Sequence, residues 1–224
     1  MRAVQFPGLR DTRPQHLAAG WPALVEQLSH HAVREDKLQG SLWSPVDYRP
    51  GTTRSNRNVT QVHAFVADLD GTNLDAVSSR LAGLEWHAYT TYSHRGDKPS
   101  WHVVVPLASP VAAPDWRRAW LTIRQHLRAG DEQTCDASRA YFLPQRHPDR
   151  EAHIAHSFGA WLDWRDLPAV DVPSRVSRQI VPGQGVVINW DDVEEPAELM
   201  GLEGQELLDA ALKYVLKMRS RLAA

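Results

Sequence analysis

The chain has 224 residues, of which 42% are hydrophobic and 23% charged, a balance typical of a folded globular protein rather than a disordered one. Its formal net charge of −2 excludes a uniformly basic surface, so any contact with nucleic acid must use a local patch of cations. The single cysteine, Cys135, excludes an intramolecular disulfide and a cysteine-rich zinc site.

Length and composition predict one catalytic core with a small appendage. We expect the core over residues 1–167, a linker or surface segment over 168–195 and a C-terminal helical extension over 196–224. No apolar run is long enough to cross a bilayer, and the first residues lack the apolar stretch of a signal peptide. We therefore expect a cytoplasmic location and no membrane partner.

The first predicted element is an amphipathic helix over residues 14–33. Its apolar residues recur at helical spacing and are Leu17, Trp21, Leu24, Val25 and Leu28. A polar loop with three arginines follows over residues 49–58. If this loop folds back beside the next strand, Arg54 and Arg57 would meet phosphate groups; a solvated surface loop is the alternative.

An apolar run then ends in Asp68-Leu69-Asp70-Gly71, which predicts a strand with two carboxylates at its end. Residues two apart on a strand share a face, so Asp68 and Asp70 project together where Gly71 lets the chain turn away. Magnesium is typically held by one or two carboxylates together with substrate phosphates, which indicates nucleotide chemistry. The alternative is a buried strand that ends in a solvated acidic turn.

The next residues predict a helix over 74–81 and a hairpin whose strands, 86–92 and 101–107, are joined by a polar turn over 93–99. An amphipathic helix over 115–129 and a short strand over 140–144 follow. The inward residues predicted for the amphipathic helix are Trp116, Ala119, Trp120, Ile123 and Leu127.

The second strand of the hairpin begins with a hydroxyl and an imidazole, Ser100 and His102. Strand alternation places both on one face, in the space that the hairpin would share with the Asp68 strand. Hydroxyl and imidazolium groups donate hydrogen bonds to phosphate oxygens, and Lys98 adds a positive charge beside them. The pattern therefore favours a nucleoside triphosphate site over a histidine with a purely structural role.

A third carboxylate, Asp136, precedes the short strand, and Arg139 lies three residues after Asp136. Three acidic groups would hold two metal ions, one activating an attacking hydroxyl and one stabilising the leaving pyrophosphate. The alternative for Asp136 is a turn cap with Ser138 and Arg139 as surface neighbours.

Taken in order, Asp68-x-Asp70, Ser100-x-His102 and Asp136 resemble the three motifs of the archaeo-eukaryotic primase superfamily, the primase-polymerases, and in particular its small plasmid and phage members. The match runs from about residue 54 to residue 146. The resemblance implies an α+β fold, with an antiparallel sheet of the RNA-recognition type joined to an N-terminal α/β unit. It also implies a DNA primase or primase-polymerase that makes short primers, with its active site in the cleft between the two parts.

The resemblance also implies residue roles, cofactors and partners. The ligands of Mg²⁺ or Mn²⁺ would be Asp68, Asp70 and Asp136. The residues that bind the nucleotide would be Ser100, His102, Lys98, Arg95 and Arg139. Weaker candidates for contact with the template are Arg54, Arg57 and Arg146. The partners would be single-stranded DNA, nucleoside triphosphates and a separate helicase or replication initiator.

A haloacid-dehalogenase-type phosphatase is the main enzymatic alternative, because Asp68-Leu69-Asp70-Gly71-Thr72 also matches the opening motif of that family. Asp68 would then be the nucleophile and Asp70 the general acid. Thr90 or Thr91 would supply the phosphate-binding hydroxyl. Asp191 and Asp192 would form the second acidic pair. This alternative requires a parallel sheet.

The non-enzymatic alternative is a replication module whose sheet stacks the bases of a single strand without catalysis. Its stacking residues would be Trp86, Tyr89, Tyr92 and Trp101. Alternating aromatic residues in strands more often pack in a core.

Overall fold

A five-stranded antiparallel sheet and a smaller four-stranded sheet form the framework of this computed structural model. The structure describes residues 1–130 and 134–170, which all belong to the unit Met1–Pro173. The predicted helical extension over 196–224 lies outside the described residues, as does most of the predicted linker over 168–195.

The strands are short in the N-terminal part and long at the centre of the chain. In chain order they are β1 (Arg2–Phe6), β2 (Gln15–Ala19), β3 (Ala32–Val33), β4 (Leu42–Ser44), β5 (Val46–Tyr48), β6 (Val59–Asp70), β7 (Trp86–Thr90), β8 (Ser100–Ala112), β9 (Tyr141–Phe142), β10 (Gln145–Arg146) and β11 (Ile154–Ser157). The helices are α1 (Trp21–Leu28), α2 (Asp75–Ser78) and α3 (Ala113–Leu127).

The larger sheet has the strand order β11-β7-β8-β6-β5, and every pair of neighbours is antiparallel. The smaller sheet has the order β2-β1-β4-β9 and is also antiparallel, while β3 and β10 form a separate parallel pair. The predictions of an antiparallel sheet in an α+β fold and of a hairpin formed by β7 and β8 are confirmed. The same topology contradicts the phosphatase alternative, because the Asp68 strand lies between two antiparallel neighbours.

Because side chains alternate along β6, its two faces pack in different hydrophobic clusters. Phe65, Ala67 and Leu69 pack in a cluster with α3, whereas Ala64 and Val66 pack in a second cluster with α1 and the smaller sheet. Asp68 and Asp70 continue the second set along the strand. The carboxylates therefore emerge on the face that the smaller sheet covers.

Helix α3 supports the other face of the large sheet, as its apolar spacing predicts. All five residues predicted to face inward are buried: Trp116, Ala119, Trp120, Ile123 and Leu127. The helix ends at Leu127, and the next residue, Arg128, is a non-glycine residue in the left-handed conformation with φ 50°. Such a conformation is costly for a residue with a Cβ, and here it lies beside the site described below.

The predicted helix over residues 14–33 is wrong at both ends: the helix stops at Leu28, and Ala32–Val33 form β3. Residues Gln15–Ala19 form β2, an edge strand that pairs with β1, and the helix begins at Trp21 after Gly20. Gly20 has φ 92°, a backbone conformation that glycine adopts without a steric penalty. Pairing with β1 is a non-local interaction, and it overrides the helical spacing of the apolar residues. Within the described parts of the chain, no helix is both long and apolar enough to cross a membrane.

Candidate functional site

A pocket of about 510 Å³ opens at the adjoining ends of β6 and β8. Ligand pockets commonly have volumes of about 300–1,000 Å³. The polar residues that line it are Lys37, Asp68, Asp70, Thr72, Thr91, Ser93, Ser100, His102 and Arg128. Four of the residues predicted for the site, Asp68, Asp70, Ser100 and His102, thus come together in one concave place.

The register between β6 and β8 produces this arrangement. Asp68 pairs with His102 across the strands, and Asp70 pairs with Ser100. Residues directly opposite in an antiparallel pair have side chains on the same face, a few ångströms apart. The acidic pair and the pair of phosphate-binding candidates therefore form a square of four side chains at the strand ends.

Asp70 is exposed and has two hydrogen-bond donors beside it. The Ser100 hydroxyl donates to Oδ1 of Asp70 at 2.8 Å, and the Lys98 ammonium donates to Oδ2 at 3.1 Å. The hydrogen bond from Ser100 and the bond and charge of Lys98 lower the pKa of the Asp70 carboxyl. Asp70 is therefore an anion throughout the neutral pH range.

Asp68 is more buried than Asp70 and faces the imidazole of His102. Its Oδ1 lies 3.5 Å from Nε2 of His102. Burial raises the pKa of the Asp68 carboxyl, but the hydrogen bond and charge of His102, with the charges of Arg139 and Lys37, outweigh burial and lower it overall. Asp68 is thus also held as an anion.

The ring of His102 is enclosed by two buried phenols. The ring of Tyr89 lies edge-on with its centroid 5.1 Å away, and that of Tyr141 with its centroid 5.2 Å away. Nδ1 of His102 lies 2.9 Å from the Tyr89 hydroxyl oxygen. One ring nitrogen is therefore held by the protein interior, and the other, Nε2, faces Asp68.

Asp136, the third predicted carboxylate, lies outside the described lining of the pocket. Asn56 donates from Nδ2 to Oδ1 of Asp136 at 3.3 Å and accepts a hydrogen bond from the backbone N–H of Ser138 at 2.8 Å. Burial raises the pKa of Tyr141, the charge of Arg139 lowers it, and the charges of Asp68 and Asp136 raise it. Among the described residues, no three His, Cys, Asp or Glu side chains are grouped to hold a metal ion.

The predicted arginines are distributed around the site. Arg139 lowers the pKa of the Asp68 carboxyl through its charge, which places it within electrostatic reach of the pocket. Arg95 is exposed in the turn that its backbone makes with Lys98. Arg57 lies in the short 3-10 turn Asn56–Asn58.

Two arginines predicted to contact the template make contacts within the protein. The guanidinium of Arg54 lies 5.2 Å from the ring centroid of Phe6 and donates to the Leu9 carbonyl at 3.4 Å. The guanidinium of Arg146 donates to three backbone carbonyls of its own loop, those of His147, Pro148 and Arg150. These contacts give both arginines a local structural role.

Sequence reasoning missed two cations of the pocket, Lys37 and Arg128. Lys37 belongs to the 3-10 turn Lys37–Gln39, and its ammonium lies 5.4 Å from the ring centroid of Phe142. Arg128 follows the last residue of α3. Neither residue lies in a motif, so the sequence contains only a weak signal for its role. Arg128 is a cation at the end of a helix, and Lys37 follows an Asp that caps a helical turn.

The aromatic stacking surface of the non-enzymatic alternative is contradicted at two of its four positions. Trp86 and Tyr89 are buried, with 8% and 1% of their surfaces exposed. Trp86 packs in the cluster with α3, and Tyr89 packs in the cluster with α1. Neither ring presents a face on which a base could stack.

Comparison with known proteins gives one distant structural similarity. No protein-family model matches the chain, and no curated protein matches it in sequence. The AEP domain of the primase-polymerase of cyanophage S-2L is similar in structure, with 18% sequence identity and a TM-score of 0.43; the match covers 73% of this chain and 84% of that chain. A similarity of this extent does not establish a function, which has to be judged from the chemistry of the pocket.

Proposed function

We propose that the protein is a primase-polymerase that joins nucleotides on a single-stranded DNA template. The observation that supports this most directly is the cross-strand pairing of Asp68 with His102 and of Asp70 with Ser100 at one pocket. An acidic pair beside donors for phosphate suits a metal-bound triphosphate. The order of the three sequence motifs supports the same activity.

The donor set fits a hard divalent cation, Mg²⁺ or Mn²⁺. Asp68 and Asp70 are anions on one face of β6, and ionised carboxylates offer only acceptor oxygens. When bound, such a cation neutralises the charge that develops on the phosphates during nucleotidyl transfer. We assign Asp68 and Asp70 as its ligands and retain Asp136 as a candidate third ligand.

The remaining side chains of the pocket would hold and orient the incoming nucleotide. Nε2 of a protonated His102 would donate to a phosphate oxygen, and so would the Ser100 hydroxyl, which donates to Asp70 in the structure, once it turns to the nucleotide. Lys37 adds positive charge from the lining of the pocket, and Lys98 adds it beside Asp70. Arg128 brings a further cation from the end of α3. We therefore add Lys37 and Arg128 to the nucleotide-binding residues.

Other parts of the proposal rest on the sequence resemblance. They are the contributions of Arg95 and Arg139 to nucleotide binding and of Arg54, Arg57 and Arg146 to template binding. A role in plasmid or phage replication, alongside a separate helicase or initiator, belongs to the same set. A nucleotide contact is better supported for Arg139, whose charge already acts on Asp68.

Incorporation of labelled nucleotides on single-stranded DNA, with Mg²⁺ or Mn²⁺, tests the proposal. The wild-type protein should make short oligomers. Asp70→Ala should abolish synthesis and leave the far-ultraviolet circular dichroism spectrum unchanged, because Asp70 is exposed. Asp97→Ala is the matched control, since Asp97 is an exposed carboxylate outside the described lining of the pocket.

Three results would contradict the proposal. They are full activity in Asp70→Ala, DNA binding without incorporation by the wild-type protein, and release of phosphate from a small ester that Asp70→Ala abolishes. The second result would favour the non-catalytic module, and the third a phosphatase.

A further inference from the structure

The hydroxyl of Tyr89 has three polar neighbours among the described residues. Nε1 of Trp43 donates to it at 2.8 Å, the Phe142 carbonyl accepts from it at 3.1 Å, and Nδ1 of His102 lies 2.9 Å away. Trp43 is on β4 and Phe142 on β9, whereas Tyr89 and His102 are on β7 and β8. The hydroxyl thus joins the smaller sheet to the larger one directly behind the pocket.

The number of available protons decides which group donates in the contact between Tyr89 and His102. An indole N–H can only donate, and a backbone carbonyl can only accept. The hydroxyl has a single proton, so donating it to Phe142 leaves only acceptor capacity for Trp43 and His102. All three contacts are satisfied together only if Nδ1 of His102 carries a proton and donates it to Tyr89. Buried polar groups are rarely left unpaired, which favours this assignment.

The protonation state of Tyr89 agrees with a proton on Nδ1 of His102. Burial raises the pKa of Tyr89 well above its ordinary value and outweighs the hydrogen bond from Trp43, which lowers it; the charge of Asp68 acts in the same direction as burial. Tyr89 therefore keeps its proton, and a phenolate that accepts all its hydrogen bonds is excluded. The ring itself is fixed, because Tyr89 is only 1% exposed and packs in the cluster with α1.

We propose that Tyr89 is a positioning residue that holds His102 with its proton on Nδ1 and with Nε2 facing the pocket. Nε2 is then the nitrogen that meets Asp68 and, in the proposed function, the triphosphate, and it donates to either group when it also carries a proton, as in the imidazolium. Without Tyr89 the ring would be free to lose the proton on Nδ1 or to rotate. Groups that orient a functional histidine in this way commonly fix both its tautomer and its ring orientation.

The first test is a spectrum of the wild-type protein, which requires no activity and no variant of Tyr89. Long-range proton–nitrogen correlations of the full chain labelled with ¹⁵N distinguish the two ring nitrogens of each histidine, and the signals absent in His102→Gln belong to His102. At neutral pH Nδ1 of His102 should be protonated. An unprotonated Nδ1 would overturn the proposal, whatever the protein is found to catalyse.

The second test compares Tyr89→Phe with Tyr92→Phe. Tyr92 is a matched control, because its hydroxyl donates to a backbone carbonyl, that of Glu35, at 2.6 Å but lies outside the described lining of the pocket. Tyr89→Phe should give His102 signals with an unprotonated Nδ1 and raise the nucleotide KM by roughly 10- to 100-fold, the range for loss of a partner that orients a metal-binding histidine. The template Kd should not change.

Tyr92→Phe should have the wild-type spectrum and KM. A Tyr89→Phe protein with the wild-type His102 tautomer and nucleotide KM would refute the positioning role. The triphosphate part of the inference rests on the proposed function, and the two can fail separately. If no incorporation is found in the wild-type protein, the proposed function fails, and the spectrum still decides the role of Tyr89.

Discussion

We expect the folded protein to lose stability in mild acid because His87 is buried. Its ring is 1% exposed, and Nε2 lies 3.2 Å from the Leu28 carbonyl. Nδ1 has no hydrogen-bond partner among the described residues. Burial lowers the pKa of His87 from 6.5 to about 4 and outweighs the hydrogen bond with Leu28, which raises it; the charges of His156 and His31 also lower it. The folded protein therefore holds this imidazole neutral at pH values where the unfolded chain protonates it.

Proton linkage gives the direction and the size of this change in stability. Between pH 6.5 and about 4 the unfolded state binds a proton that the folded state does not, so stability falls as the pH falls through this window. At about 1.4 kcal/mol per pKa unit, the full difference is about 3 kcal/mol. About 2 kcal/mol of this should be lost between pH 7.5 and pH 5. Burial also lowers the pKa of His31, His63 and His94, so the total loss should be larger.

Urea unfolding at pH 7.5 and pH 5 isolates the contribution of His87. In His87→Gln the donor to Leu28 is kept and the titration is removed, so the difference between the two pH values should shrink by about 2 kcal/mol. His16→Gln, at an exposed histidine of β2, should leave the difference as in the wild type. An equal pH dependence in His87→Gln and wild type would refute the reasoning.

Three further predictions concern single residues. Lys37→Met should raise the nucleotide KM about tenfold, since a hydrogen bond to a charged group contributes roughly 1.5 kcal/mol; an unchanged KM would remove Lys37 from the site. Arg128→Gly should raise the free energy of unfolding by roughly 0.5–1 kcal/mol by relieving the left-handed conformation, yet weaken nucleotide binding in a titration. Gly159→Ala should lower Tm, because its Cβ would lie 2.7 Å from the carbonyl carbon of Leu84; Gly96→Ala, with open space among the described residues, should not.

The core of the candidate site was predictable because it depends on a local rule. Strand alternation alone places Asp68 with Asp70 and Ser100 with His102, each pair on one face. A hairpin next to the Asp68 strand then brings the two pairs into the same space, and the observed register of β6 with β8 confirms this prediction. The inward face of α3 was predictable for the same reason, since its period is set by the helix itself.

The rest of the site depends on contacts between distant segments. Lys37 reaches the pocket because its turn lies between β3 and β4, and two- and three-residue strands leave almost no periodic signal. Tyr89 is separated from Trp43 by 46 residues and from Phe142 by 53, so no local pattern relates their polar atoms. The β2 strand was mistaken for helix because its pairing with β1 is not encoded in its own spacing.

The role of Asp136 can be decided by a substitution that keeps its shape. Asp68 and Asp136 both raise the pKa of the buried Tyr141, so their charges act on one phenol although Asp136 lies outside the described pocket lining. Asp136→Asn keeps an oxygen that can accept from Asn56 and removes only the charge. If Asp136 is a third metal ligand, nucleotide incorporation should fall tenfold or more, and more metal should be needed for half-maximal activity. Wild-type activity and metal dependence would restrict the acidic set to Asp68 and Asp70.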